Sequence, residues 1–130
     1  MRKREKEEVM APETPGGLDF EALRRAIEDR DADALIGFYA DDAEVQTVNS
    51  RTTPSSPEVW RGKEQIAGYL RDVYGREMTH RLENEVVGEN RVAFHEACEY
   101  PDGTRILGAE TLEVRDGKIV RHVNVEAWDE

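Results

Sequence analysis

The 130-residue chain has a single cysteine, Cys98. No internal disulfide can form, and the paired-cysteine spacings of structural zinc sites are absent. A lone cysteine within a strand pattern reads as a small core residue. There are only three histidines, His80, His95 and His122, and aromatic residues make up 7% of the chain. No apolar run approaches the roughly 20 residues of a membrane helix. The opening MRKREKEEVMAPETPGG lacks the apolar stretch of a signal peptide, so the expectation is a cytoplasmic protein that does not engage a membrane. Positive charge is also scarce, with 18 Lys and Arg against 29 Asp and Glu and a net charge of −11. Such a chain is repelled by phosphate backbones, which argues against a nucleic-acid partner. The basic clusters Arg2–Arg4 and Arg24–Arg25 do not change this, since one lies in a tail and the other on the polar side of a helix.

The residues present suffice for one domain with a real core. Residues 1–17 mix charges, end in Pro-Gly-Gly and read as a disordered tail, leaving 18–130 as the domain. Asp19 is a good N-cap, and Phe20, Leu23 and Ile27 form one helical stripe. Asp31 can cap a second, shorter helix carrying Leu35, Phe38 and Tyr39, with Asp41–Asp42 ending it. Val45 and Val48 belong to a short strand, residues 49–57 to a loop, and Val59–Trp60 to a short return strand. Lys63–Tyr74 reads as a third helix, stopped at Gly75.

From Thr79 the hydrophobic period changes from helical to alternating. Thr79–Val87, Arg91–Tyr100, Thr104–Arg115 and Lys118–Trp128 read as four strands joined by tight turns, two of them Asp-Gly. The order predicts an α+β fold in which helices cover one face of a curved antiparallel sheet.

Three segments, FYADDAEV, WRGKEQIAGYL and DGKIVRHVNVEAW, resemble the nuclear transport factor 2-like superfamily. That superfamily includes ketosteroid isomerases, SnoaL-like polyketide cyclases and limonene epoxide hydrolases. The resemblance spans about Leu18 to Trp128. It implies a cone-shaped, cystatin-like α+β barrel, its sheet wrapped around three N-terminal helices with a pocket inside. It also implies a homodimer through the outer sheet face, where Ala93, Ala97, Leu107, Ala109, Val123 and Val125 would form an apolar patch.

Strand alternation decides which side chains enter such a pocket. In ILGAETLEV, residues 106–114, one face holds Ile106, Gly108, Glu110, Leu112 and Val114, an acid among apolar residues. The neighbouring strand repeats the pattern with Val92, Phe94, Glu96 and Cys98. On the last strand apolarity alone would turn Ile119, Val123 and Val125 inward. The superfamily resemblance instead turns Val120, His122, Asn124, Glu126 and Trp128 inward, and His80, Leu82, Asn84 and Val86 on the first long strand. His95 then faces outward.

The expected site therefore has Glu110, His122, His80 and Glu96 as acid–base candidates. Phe38, Trp60, Ile66, Leu70, Phe94, Leu112, Asn124 and Trp128 are expected to contact the ligand, with Leu82 in the wall. Few polar groups set in apolar walls is the usual construction of a small-molecule site. The ketosteroid isomerase resemblance places its tyrosine at Leu23, its base at Thr47 and its protonated acid at Glu110. Two of these three groups are missing, and the epoxide hydrolase Arg-Asp-Asp set is not visible. The expected function is acid–base catalysis on a small apolar molecule, of isomerase, cyclase or hydratase type, with no cofactor or metal. The alternative is a non-catalytic binding or dimerisation module. Glu110, desolvated and beside Glu96, is expected to hold its proton near neutral pH.

Overall fold

The computed structural model describes residues 17–130. The predicted 1–17 tail thus falls, except for Gly17, outside the described residues. The elements run α1 (Phe20–Glu28), α2 (Ala32–Ile36), β1 (Tyr39–Val48), β2 (Glu58–Arg61), α3 (Gly62–Gly75), β3 (Thr79–Val87), β4 (Arg91–Glu99), β5 (Arg105–Arg115) and β6 (Lys118–Trp128). The six strands form one curved, unclosed sheet in the order β2-β1-β6-β5-β4-β3. Every joint is antiparallel except β1 with β6, which is parallel. No described helix is long and apolar enough to cross a membrane.

Both predicted caps form: Asp19 accepts from the Ala22 N–H and Asp31 from the Ala34 N–H, each at 3.1 Å. Each pairing satisfies a donor that the first helical turn leaves free. The core gathers Leu18, Leu23, Leu35, Val45, Ile66, Leu70, Val92, Leu112 and Ile119 between helices and sheet, all essentially without solvent contact.

The second helix is shorter than its sequence suggests. It ends at Ile36, and Tyr39 opens β1 rather than closing α2. Asp41–Asp42 does not stop a helix. It sits in β1 where the β6 register shifts between Tyr39 and Glu44, so both acids face water without breaking the strand. Tyr39, Ala43, Val45 and Thr47 are then buried on the inner face.

Two further irregularities alter the expected parity. β3 shifts register between Glu83 and Val86, around Asn84 with φ 58°. Asparagine tolerates this left-handed geometry better than most residues. Asn84 and Val86, expected inward, are therefore exposed, and Val87 packs on the core instead. A similar shift pairs Val114 with Ile119, so Ile119 turns into the core although its alternation partners Val123 and Val125 face outward, and Val120, expected inward, is neither in the core nor in the cavity wall.

The β3 edge is tied down by α1. Arg24, assigned to a purely polar helix face by sequence, donates to the Leu82 carbonyl at 3.1 Å and to Glu85 at 2.7 Å. Glu28 accepts from the Leu82 N–H at 2.9 Å. Both free backbone groups of one edge residue are thus taken by helix side chains. Replacing Arg24 with Ala should destabilise the domain by about 1–3 kcal/mol, because a part-buried carbonyl and the carboxylates of Glu21, Glu28 and Glu85 lose a charged partner. Urea unfolding measures this, and an unchanged midpoint would mean that the tether contributes nothing.

Candidate functional site

Between the helices and the concave face of the sheet lies a cavity of about 410 Å³, lined by residues from α1, α3 and every strand. Its size is typical of small-molecule pockets. The inward parity expected for β4, β5 and β6 places Glu96, Glu110, His122 and Asn124 inside, and His80 joins them from β3. All five are at most 7% exposed.

These side chains form two separate networks. In the first, Glu96 is the hub: its Oε2 accepts from Tyr74 Oη and from His80 Nδ1, each at 2.8 Å. In the second, His122 is the hub, with Nε2 2.6 Å from Glu110 Oε1 and Nδ1 2.9 Å from Tyr39 Oη. Strand register explains the grouping. His80 pairs with Cys98, two residues from Glu96, while Leu112 pairs with His122, two residues from Glu110.

The two acids carry opposite charge states. Burial pushes Glu96 up, but the His80, Glu110 and Tyr74 side chains around it outweigh burial and hold the group down at about 2. Burial raises Glu110 well above the ordinary carboxylate range, and the Glu96 charge beside it raises it further. Burial likewise lowers His122 to about 4, against the opposing pull of Glu96. The surroundings thus favour the charged form of Glu96 and the neutral forms of Glu110 and His122. One proton then lies in the Glu110–His122 contact and one in the His122–Tyr39 contact, and the imidazole tautomer sets the direction of both. Burial and the nearby acids keep Tyr39, Tyr69 and Tyr74 protonated.

Not every expected lining residue reaches the cavity. Trp60, Leu70, Phe94, Leu112, Asn124 and Trp128 do. Phe38, Ile66 and Leu82 do not: Ile66 and Leu82 are spent in the core, and Phe38 packs half-buried beside it. Trp128 is 42% exposed and donates through Nε1 to Glu126. Trp60 stacks on Tyr69 at 4.0 Å. His95 lies on the outer face, hydrogen-bonded to Asn84.

Sequence reasoning missed Tyr39 and Tyr74 as partners of the two networks. Tyr74 had a visible signal, since it follows Ile66 and Leu70 at helical spacing. Tyr39 had none once it was assigned to a helix.

Cys98 Sγ lies 3.3 Å from His80 Nδ1, and its thiol is pushed up by burial and by the surrounding acids, so it stays protonated. Thiol and Glu96 meet the same ring nitrogen, whereas a nucleophilic triad uses both nitrogens. His80, Glu96 and Cys98 also bring donor atoms within 4.8 Å of one another, the one such group among the described residues. The two hydrogen bonds on Glu96 Oε2 already satisfy that oxygen without an ion.

The family of the chain follows from this frame and from sequence comparison. A family model for the SnoaL-like domain matches residues 20–122. The chain belongs to the SnoaL-like domain family. Comparison with curated proteins finds no match. Among solved structures, it is similar to an NTF2-like protein of unknown function from Mesorhizobium loti, with TM-score 0.72 and 16% identity over 98% of this chain and 96% of that one. It is also similar to a cystatin-like-fold protein from Silicibacter pomeroyi, with TM-score 0.71 and 14% identity over 92% of this chain and 78% of that one. A Kribbella flavida protein provisionally designated a ketosteroid isomerase gives TM-score 0.67 and 17% identity over 85% and 75%. At such identities the likeness speaks for the fold alone.

Within this SnoaL-like pocket, the Glu110–His122 pair has a distinct proton balance. Folded, it holds one proton. Unfolded, ordinary values of 4.5 and 6.5 apply. Between those values the unfolded pair also holds one proton, so its contribution to stability is flat. Above pH 6.5 the unfolded histidine releases its proton while folded Glu110 keeps its own. Stability then falls with rising pH at up to about 1.4 kcal/mol per unit. Glu110→Gln should remove that alkaline slope. It should also make stability fall as pH drops from 6.5 towards 4, because only the unfolded histidine then takes up a proton. Urea unfolding of both proteins from pH 4.5 to 8.5 checks this; parallel curves would mean that the folded pair retains no proton that depends on Glu110.

Proposed function

We propose that the pocket performs general acid–base chemistry on a small, largely apolar carbonyl compound. The observation that carries this reading is the pairing of opposite roles on one inner face. Glu96 is charged and holds His80 by Nδ1, and His80 Nε2 is buried without a partner. A carboxylate on Nδ1–H leaves the lone pair on Nε2 and stabilises the imidazolium that forms, the logic of an acid–histidine dyad. Glu110, neutral, is a hydrogen-bond donor in an apolar setting. Groups whose environments push their proton affinities apart mark the acid and the base.

In this reading His80 Nε2 takes a proton from the carbon next to the ligand carbonyl, and Glu96 orients the ring. Glu110 hydrogen-bonds or protonates the carbonyl oxygen as the enol forms, with His122 and Tyr39 as its relay. Once the proton on His80 has been replaced by one from solvent, its delivery to the same carbon gives exchange; delivery to a conjugated carbon gives isomerisation. The isomerase-type, SnoaL-like frame supports this class, and Glu110 and His80 are its proposed catalytic residues.

The direct test is exchange of the α protons of 2-tetralone in D₂O, followed by proton NMR. The wild type should accelerate exchange above buffer, and His80→Gln or Glu110→Gln should each slow it by about 100-fold or more. Exchange at the buffer rate, or indifference to both substitutions, would leave a non-catalytic binding module as the better description.

We also propose a homodimer through the outer sheet face. Its support is Leu107 and Val125, 45% and 50% exposed on strands that turn their other face to the pocket. Sedimentation at micromolar concentration should give a dimer that Val125→Glu converts to monomer; a monomeric wild type would remove the idea.

A further inference from the structure

The acid–base reading leaves two buried atoms unused. Thr47 Oγ1 and Asn124 Oδ1 have no hydrogen-bond partner, although both residues are 5% exposed and both line the cavity. They are not scattered. Thr47 on β1 and Asn124 on β6 are register partners in the parallel joint of the sheet, and Asn124 is in turn the register partner of Glu110 on β5. The two atoms therefore form one polar spot on the pocket floor, beside the neutral acid.

The chemistry of the spot follows from its surroundings. Asn124 Nδ2 donates to Glu126 Oε2 at 3.0 Å. Glu126 Oε1 is itself held by Asn49 Nδ2 and by Trp128 Nε1, each at 3.1 Å. Turning the amide over would set its carbonyl oxygen against a carboxylate. The oxygen therefore stays on the cavity side, and an amide oxygen can only accept. Gly108 permits this placement: a Cβ there would lie 2.7 Å from Asn124 Oδ1 and 3.1 Å from Glu110 Oε2. A buried acceptor without a donor opposes folding, and leucine in the same volume would not. The neighbouring Glu96 charge disfavours an anion.

We infer that Thr47 and Asn124 form a subsite for an uncharged hydroxyl group of the ligand, whose O–H donates to Asn124 Oδ1 while Thr47 Oγ1 hydrogen-bonds the hydroxyl oxygen. This deepens the acid–base reading and rests on it for the pocket being a ligand site. The substrate class becomes hydroxylated, phenolic or enolic apolar molecules, with the hydroxyl lying near the oxygen that Glu110 serves. An ether or an alkyl group at that point leaves Asn124 Oδ1 unpaired, and a site built around a hydrogen bond discriminates against such analogues.

The test compares 5,6,7,8-tetrahydro-2-naphthol with its methyl ether, binding being read from amide chemical shifts of labelled protein. The wild type should prefer the naphthol by about tenfold or more, the weight of one hydrogen bond plus the unpaired acceptor. Asn124→Leu should abolish the preference while retaining the ether, and the milder Thr47→Val should reduce it. Equal affinity of the two probes for the wild type would overturn the inference, as would a preference surviving in both variants or binding of neither probe. The exchange assay fails independently: a lost exchange signal with the naphthol preference intact removes the acid–base reading but not the subsite.

Discussion

Two carboxyl groups share one water-poor face of a curved sheet, where charging both at once is costly. Glu96 and Glu110 lie on adjacent strands of the same inner face, close enough for each to act on the other. In water such neighbours would lose little by ionising together. In a low-dielectric interior their repulsion and their desolvation add. The surroundings break the tie. Glu96 receives two donors, His80 and Tyr74, and takes the charge. Glu110 faces an imidazole that burial keeps neutral, and retains its proton.

The arrangement of the rest of the molecule follows that division. Helix α3 delivers Tyr74 to Glu96, and the first strand delivers Tyr39 to His122 across the parallel joint. Each histidine has one ring nitrogen against an acid, but the opposite charge states of the acids give the rings different uses. His80 hydrogen-bonds a carboxylate and leaves a free nitrogen. His122 has both nitrogens occupied and suits a relay. A pair of chemically alike Glu–His contacts thus becomes two unlike groups through environment alone.

The SnoaL-like frame explains why this can vary so widely among proteins of one shape. The sheet and helices secure the core with residues that carry no chemistry, such as Leu23, Ile66 and Leu112. The inner-face positions on the strands remain free to hold other groups. Here the positions where the ketosteroid isomerase resemblance places a tyrosine and a base are occupied by Leu23 and Thr47, both buried and both lining the cavity. In the proposed chemistry the base His80 comes from β3, oriented by Glu96 on β4, while the acid Glu110 stands on β5.

Local pattern was enough to place the helix starts at Asp19 and Asp31, the last strand at Lys118–Trp128 and the inward faces of β4 and β5. Caps and alternation act over a few residues, so they are written in adjacent letters. It also marked Glu110 as an acid on an apolar face. The register shifts were not legible, because a bulge changes parity without a strong residue signal. Asn84 and Val86 were turned outward and Ile119 inward by such shifts. Asp41–Asp42 imitated a helix stop because the letters do not show a strand bulge that exposes both acids. Which group meets which was decided only by the tertiary fold. Tyr39 and His122 lie 83 residues apart and Arg24 and Leu82 lie 58 apart, and their distances depend on the order in which strands join. The charge on each acid belongs to this second class as well, since it depends on which distant donors the sheet brings to it and how completely water is excluded.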